Sequence, residues 1–492
     1  MNSMISSFIL GISAIIFDMT VQISPRRFSG TVKIPASKSH TIRQLLIASL
    51  AEGYSEIYSP LDSLDIRFCI DVCRAFGAGL TLYHNEEGVL FWSVHGIKGF
   101  NFPSYKKATR VTGGLRDIGS PLKDVKFDVG NSGTTLYLAL AIAGLQEEPV
   151  MFTGDEQIRK RSAAPLLDAL AGLGVQSKSN NGCAPITIQG PWKGGKVTLS
   201  CPTSQYLSAL LIAAPLAPAG TVTEIEVPLL NEKPYVDMTL SYLKTHDIPF
   251  EADFFPPANP QENWSGRFVV PGGSSWKKFS SSVPGDFSSA AFPAAAAAIT
   301  GGPVTLTGLD PQDTQGDKFF MEMLETMGCE VKWSKDENQC HFCTVSREGQ
   351  LRGGTFDLNE TPDLLPAAAV VAAYAVGDTE LVNVAHARIK ETDRIAVMAA
   401  ELAKLGVNCT EREDGLVIHG KGGINPGSSL ISSVPKELET SSGSVPIIEG
   451  HGDHRIVMAF AVAALGCSVP IEITTAECAA VTYPGFLEML KR

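Results

Sequence analysis

Leu364-Leu365-Pro366-Ala367-Ala368-Ala369-Val370-Val371-Ala372-Ala373-Tyr374-Ala375 carries no charge and almost no polarity. Thr379-Glu380-Leu381-Val382-Asn383-Val384 follows and reads as a strand. Next come Arg388-Ile389-Lys390-Glu391-Thr392-Asp393-Arg394 and a helix that ends at Leu405-Gly406. A helix that is apolar all round is buried on all sides. The charged junction between strand and second helix suits a solvated helix start, since acids favour a first turn. Three cations and two carboxylates in seven residues also suit a binding site.

The same order recurs along the chain. A first copy has a helix from Ile42, the strand Ser55 to Ser59 and the helix Asp65 to Phe76. A second has Leu136 to Ala143, Pro149 to Thr153 and Pro165 to Leu173. A third has Leu207 to Ala214, Thr221 to Val227 and Val236 to Lys244. A fourth has Ser288 to Ile299, Val304 to Leu309 and Asp317 to Met327. The quoted stretch is the fifth. The sixth has Arg455 to Leu465, Val469 to Ile473 and Pro484 to Leu490. Units of this length exceed the ~20–50 residues of solenoid repeats. Six copies in a 492-residue chain predict an α/β fold of two similar domains, three units each, with helices inside and sheets outside. Gly96 to Lys126 and Gly422 to Gly450 stand outside the pattern and read as loops.

Composition narrows the function. The chain is 44% hydrophobic and 19% charged with a net charge of -12, and no basic run marks a nucleic-acid surface. An anionic ligand therefore needs a local cluster of Lys and Arg. Ten scattered cysteines suit free thiols in a reducing compartment. Cys340-His341-Phe342-Cys343 lacks the second pair that a metal site would want. Ile5 to Phe17 is too short to span a bilayer and lacks the flanks of a signal peptide. Residues 1–18 are expected to be an N-terminal extension, unstructured or not translated, with Met19 the functional start.

Each buried helix is introduced by polar residues: Ser37-Lys38-Ser39-His40, Gly130-Asn131-Ser132-Gly133, Thr203-Ser204-Gln205, Gly285-Asp286-Phe287-Ser288, Thr361-Pro362-Asp363 and Gly452-Asp453-His454-Arg455. Each contains a candidate N-cap. Helix N-termini also bind anions. If the helices run parallel, six positive ends meet at a cleft. Lys38, Arg43, Arg161, Lys390, Arg394 and Arg455 fall at these junctions, and Asp363, Glu391 and His454 are available for proton transfer. The residues imply a cleft enzyme for small phosphorylated, carboxylated substrates.

Pro35-Ala36-Ser37-Lys38-Ser39, Gly130-Asn131-Ser132-Gly133-Thr134, Ser204-Gln205, Lys233-Pro234-Tyr235-Val236-Asp237, Lys390-Glu391-Thr392-Asp393-Arg394 and Asp453-His454-Arg455 form an ordered set. By this set the chain from Met19 to Arg492 resembles the EPSP synthase (3-phosphoshikimate 1-carboxyvinyltransferase) family. The resemblance implies an inside-out α/β barrel in each of two domains, 37–283 and 19–36 plus 284–492, around a hinge cleft. It implies transfer of the enolpyruvyl group of phosphoenolpyruvate to the 5-hydroxyl of shikimate 3-phosphate, by a cytoplasmic monomer without metal or organic cofactor. Asp363 matches the base at the 5-hydroxyl and Glu391 the proton carrier at C3, with Lys38 sharing in proton transfer. Lys38, Ser39, Arg43, Thr203, Ser204, Gln205, Tyr235, Asp363 and Lys390 match positions holding shikimate 3-phosphate. Lys38, Gly133, Arg161, Gln205, Arg394 and Arg455 match positions around phosphoenolpyruvate.

The chain departs from the family pattern in places. Val481 replaces a common Lys on the phosphoenolpyruvate side, which is expected to weaken glyphosate as well. Tyr137 replaces an Arg. His386 and Glu232 stand where Asn and Ser are commoner, on the side of the shikimate phosphate. Glu232 would repel a phosphate, so it is expected to turn away. Two rivals are set aside. The UDP-N-acetylglucosamine enolpyruvyl transferases carry a reactive Cys in the loop matching Thr153 to Arg161, which has none here. A binding protein without turnover would not need Asp363 and Glu391.

Overall fold

Six helices with almost no charge beyond their first turns organise the molecule: α1 (Lys38–Leu50), α2 (Gly133–Ala143), α3 (Gln205–Ala213), α4 (Phe287–Thr300), α5 (Leu365–Ala373) and α6 (His454–Gly466). A computed structural model describes residues 19–86, 88–97, 126–259, 263–426 and 445–491. Every residue of α5 is buried, as is every residue of α4 from Phe287 to Ile299. No face of these helices is left for water, which is why their sequences show no polar stripe. Small side chains at Ala290, Ala291 and Ala294 to Ala298 let neighbouring axes approach. Helices α4, α5 and α6 pack on one another, and α2 packs against both α1 and α3.

Two hydrophobic cores result. One gathers residues from Ile42 to Val283. The other gathers Ile23 to Ile34 together with Phe287 to Leu490. Among the described residues, six small mixed sheets of three or four strands accompany the helices, giving a mixed α/β fold. The pattern is plain in the sheet that follows α2. Lys126–Asp128 precedes α2 and lies parallel to Val150–Thr153, which follows it. Cys183–Gln189 and Gln176–Asn180 then add antiparallel. The return is a tight turn with Asn181 and Gly182 at φ 51° and 78°, the left-handed pair that two-residue hairpins require. The outer helices stop where the Leu-Gly pairs place them. Gly174 and Gly406 follow with φ 94° and 79°, in the left-handed conformation of a helix C-cap.

At two places the pattern exchanges strands. Gly30–Lys33 leads into α1 but lies parallel to Val304–Thr307, which follows α4. Ser280–Ser282 leads into α4 but lies parallel to Glu52–Tyr58, which follows α1. The two connections touch as they pass. Ser37 N donates to Pro284 O at 2.8 Å and Asp286 N to Pro35 O at 2.9 Å. The last sheet is completed from the chain start, where Val21–Ile23 runs antiparallel to Ile471–Ile473.

Several expectations are corrected here. Gly96 and Ile97 end the strand Leu90–Ile97, and Ile447–Ile448 is a strand, although both lie in stretches read as loops. The rest of those loops, at 98–125 and 427–444, and the extension 1–18 lie outside the described residues. Only α1, α2, α4 and α6 carry a side-chain N-cap, from Ser37, Ser132, Asp286 and Asp453. Helix α5 starts instead from the 3-10 turn Pro362–Leu364, and Ser204 before α3 makes no cap bond. All ten cysteines are free thiols, and no His, Cys, Asp and Glu group among the described residues could hold a metal. No helix among them is long and apolar enough to cross a membrane.

Gly285 sits in the second connection, where a Cβ would come within 2.5 Å of the Gly308 carbonyl oxygen. That oxygen also accepts from Gly285 N at 2.8 Å, so the clash cannot be relieved without losing a bond. Gly285→Ala is expected to destabilise the fold by about 1–3 kcal/mol. Urea unfolding followed by far-ultraviolet circular dichroism would measure it; an unchanged midpoint would show that the connection has slack.

Candidate active site

The N-terminal ends of all six inner helices line one cavity. Helix α1 supplies Lys38, Ser39 and Arg43, and α2 supplies Gly133 and Thr134. Ser204 and Gln205 come from the entry to α3, Asp286 and Ser288 from α4, Pro362 and Asp363 from the turn before α5, and His454 and Arg455 from α6. Arg161, Glu232, Tyr235, Lys390, Glu391, Arg394 and Thr482 complete the wall. Of the residues expected at a site, all but Thr203 face this cavity. Thr203 stands behind it, buried, with its hydroxyl donating to Glu232 at 3.1 Å. Helix dipoles and unpaired backbone N–H groups make such a floor attractive to anions.

The cations are held by carboxylates from different elements. Arg394, 1% exposed, is the centre. It donates to Asp453 at 2.9 and 3.2 Å, to Asp363 at 2.8 Å and to Glu391 at 2.6 Å. Arg455 reaches the second oxygen of Asp363 at 2.9 Å. Arg161 meets Glu391 at 3.2 Å, and Lys38 meets Asp65 at 3.1 Å. Lys390 pairs with Glu232. Arg43 is bonded to neutral oxygens instead: Thr239 Oγ1 at 2.9 Å, Ser39 O, Ser208 Oγ and Tyr235 O each at 3.2 Å. Burial lowers its pKa to about 10, still well above neutrality. Tyr235 donates its hydroxyl to Asp317 at 2.6 Å.

These pairs set the protonation states. Burial pushes Asp363 towards the neutral form, but Arg455, Lys390 and Arg394 outweigh it and hold its pKa below the usual carboxylate range. Glu391 is likewise pushed up by burial and pulled well down by Arg161 and Arg394. Both are therefore ionised among these partners. Burial drives His454 down to about 3, so its ring is neutral, and its Nε2 is buried without a hydrogen-bond partner among the described residues. Gln205 Oε1 is in the same condition. Polar atoms left bare beside a cation-rich cavity are groups that a polar ligand would satisfy.

Known proteins resemble the chain along nearly its whole length. The family model described as EPSP synthase (3-phosphoshikimate 1-carboxyvinyltransferase) matches residues 23–490. A protein of that name from Acetivibrio thermocellus is 40% identical over 476 residues, 96% of this chain and 98% of the relative. One from Methanothermobacter thermautotrophicus is 37% identical over 476 residues, 96% of this chain and 97% of its own. The chain belongs to the EPSP synthase family. A solved EPSP synthase from Acinetobacter baumannii superposes with a TM-score of 0.69 at 27% identity, covering 96% of this chain and 98% of that one. The enolpyruvyl transferase NikO from Streptomyces tendae shares the fold, with a TM-score of 0.68 at 16% identity and 96% and 97% covered.

As an EPSP synthase family member the chain has features that its sequence did not make legible. Glu232 does not turn away. It is buried, lines the cavity and accepts from Ser204 and Thr203 while pairing with Lys390. The segment at 476–482 presents Thr482 to the cavity, while Val481 is not among the lining residues. Tyr137 is buried and stacks edge-on against Tyr206. Asp65, Asp317 and Asp453 were not expected at the site, yet each anchors a residue that was. Only Asp453 left a signal, as the residue before His454-Arg455 in the quoted motif.

Asp317 is buried beside Asp363, and burial first, then that neighbour, pushes its pKa up to about 6. A carboxyl raised in the fold favours folding when protonated. Its contribution is fully present below its unfolded value of 3.8 and is lost as pH rises through 6. Asp317→Asn removes this dependence. Relative to the native chain the variant should gain stability between pH 4 and pH 7, on the order of 2 kcal/mol. Urea midpoints of both proteins at the two pH values would test this, and parallel midpoints would mean that Asp317 is ionised throughout.

Proposed function

We propose that the chain transfers the enolpyruvyl group of phosphoenolpyruvate to the 5-hydroxyl of shikimate 3-phosphate and releases phosphate. Membership of the EPSP synthase family supports this reaction. The observation that carries it is the meeting of six helix N-termini and six cationic side chains around Asp363 and Glu391. The two substrates bring two phosphates and two carboxylates, and such a floor is built for that charge.

In this reading Lys38, Ser39, Arg43, Thr203, Ser204, Gln205, Tyr235, Asp363 and Lys390 hold shikimate 3-phosphate. Lys38, Gly133, Arg161, Gln205, Arg394 and Arg455 hold phosphoenolpyruvate. Asp363 takes the proton of the 5-hydroxyl while Glu391, with Lys38 sharing in the transfer, delivers a proton to C3 of the enol. The hydroxyl oxygen bonds to C2. The tetrahedral product then loses phosphate, and C3 gives its proton back to regenerate the double bond. Fixed cations stabilise the charge that moves.

The low pKa values of Asp363 and Glu391 set the starting point of this scheme. Glu391 cannot deliver a proton while Arg161 and Arg394 hold it ionised, and Asp363 is a poor base while it is shared by Arg394 and Arg455. Substrate anions that engage those guanidiniums would release both carboxylates and add negative charge nearby. Both changes raise a carboxyl pKa towards the working range. Substrate binding and activation of the acid and base then become one event.

The reading includes two domains of three units, 37–283 and 19–36 plus 284–492, each with inner helices and outer sheets. The two cores and the paired connections at 35–37 and 284–286 support it. It also includes a cytoplasmic monomer that uses no metal or organic cofactor; ten free thiols suit that compartment.

Phosphate release should require phosphoenolpyruvate and shikimate 3-phosphate together, as read in a coupled phosphate assay. Turnover with UDP-N-acetylglucosamine in place of shikimate 3-phosphate would overturn the assignment. Glu391→Gln and Asp363→Ala should each lose at least about 100-fold in kcat, the scale of a lost general acid or base. Native rates in either variant would remove that residue from the mechanism.

A further inference from the structure

Four hydrogen-bond donors, three on the cavity wall and one just behind it, converge on one small region. They are the Thr203 hydroxyl, the Ser204 hydroxyl, the Ser204 backbone N–H at the mouth of α3, and the Lys390 ammonium. Two hydroxyls, a helix-terminal N–H and an ammonium are a phosphate-binding set. The region is occupied by the protein itself. Glu232 Oε2 accepts from Ser204 Oγ at 2.7 Å, Ser204 N at 3.0 Å and Thr203 Oγ1 at 3.1 Å, and Oε1 meets Lys390. The Glu232 side chain is 1% exposed, and its backbone is left-handed at φ 57°.

Charged and titratable groups surround this carboxylate from several elements. Lys390 and His386 approach from the turn after the strand Val376–Val382, Arg43 from α1, and Cys201 and Tyr206 from either side of the α3 entry. His386 is neutral, pushed down to about 4 by burial, and its Nε2 meets Asn359 O at 3.0 Å. Lys390 is thus the cation that matches the carboxylate. Burial opposes ionisation of Glu232, but Lys390 and the bonds around it prevail, and its pKa lies below the usual range.

A phosphate monoester cannot share those donors with a carboxylate, because two like charges within bonding distance repel strongly. We propose that Glu232 is a built-in occupant of the subsite for the substrate's 3-phosphate. The phosphoryl group enters by exchange, taking over Thr203, Ser204 and Lys390. The released carboxyl takes up one proton and shares it with a phosphoryl oxygen. No covalent bond changes, and the proton comes from solvent. Glu232 therefore sets both the affinity for the phosphorylated substrate and its pH dependence. Binding that takes up a proton weakens as pH rises, approaching tenfold per unit where a full proton is taken up.

The inference rests on shikimate 3-phosphate being the substrate, so its test is run beside the phosphate-release assay. Shikimate 3-phosphate is titrated calorimetrically at pH 8 into the native chain, Glu232→Gln and Glu232→Ser, each in two buffers of different ionisation enthalpy. The native chain should take up close to one proton. The variants should take up none and bind at least about tenfold more tightly. Native binding without proton uptake overturns the proposal even if both variants fail to fold, and variants that bind no more tightly overturn it too. Inorganic phosphate is the second probe. Exchange with inorganic phosphate in a chain that does not turn over shikimate 3-phosphate would retire the reaction and keep the exchange.

Discussion

A charge taken out of water must be matched, and the cavity is arranged around that constraint. Six cationic side chains face a cavity that the electropositive ends of the six inner helices also line. Unmatched, they would repel one another through a poorly screening interior. Arg394 is therefore tied to three carboxylates at once, and Arg161 and Lys390 reach Glu391 and Glu232 on elements from the other core. The same pairs that neutralise the floor also join the two cores across it. Ligand binding at such a site is a replacement of internal anions by external ones. Its net strength is the difference between two sets of ion pairs, less than the full strength of the new set.

Much of this architecture could be read from residues alone. Long chargeless runs such as Ala290 to Ala298 admit few environments other than full burial, so the six inner helices stood out. The polar residues before them stood out for the same reason, because they interrupt those runs. Pairing between distant strands was not legible. Nothing in Gly30–Lys33 says that its partner is Val304–Thr307 rather than the strand after α1, since both offer alternating apolar residues and an open edge. The exchange follows from three-dimensional closure of each sheet, which no local pattern encodes.

The site shows the same limit in smaller form. Ser204 reads as a helix cap, yet its hydroxyl and N–H are both taken by Glu232. Glu232 was expected to turn outward because it was weighed against an incoming phosphate. In the fold it answers instead to Lys390 and the α3 entry, and those donors draw it inward. A charge judged only against a ligand is placed wrongly when the protein's own groups can satisfy it first.

The exchanged strands also impose an order on synthesis. Gly30–Lys33 leaves the ribosome early, but its partner Val304–Thr307 follows about 270 residues later. At ~5–20 residues per second the delay is on the order of tens of seconds. Val21–Ile23 waits longer still, for Ile471–Ile473. During that interval the core built around α1, α2 and α3 can assemble, while the first segment of the chain trails beside it with its edges unpaired. Open strand edges invite pairing with other chains. The newborn chain thus passes through a long, half-built state in which its earliest strands are the last to be enclosed.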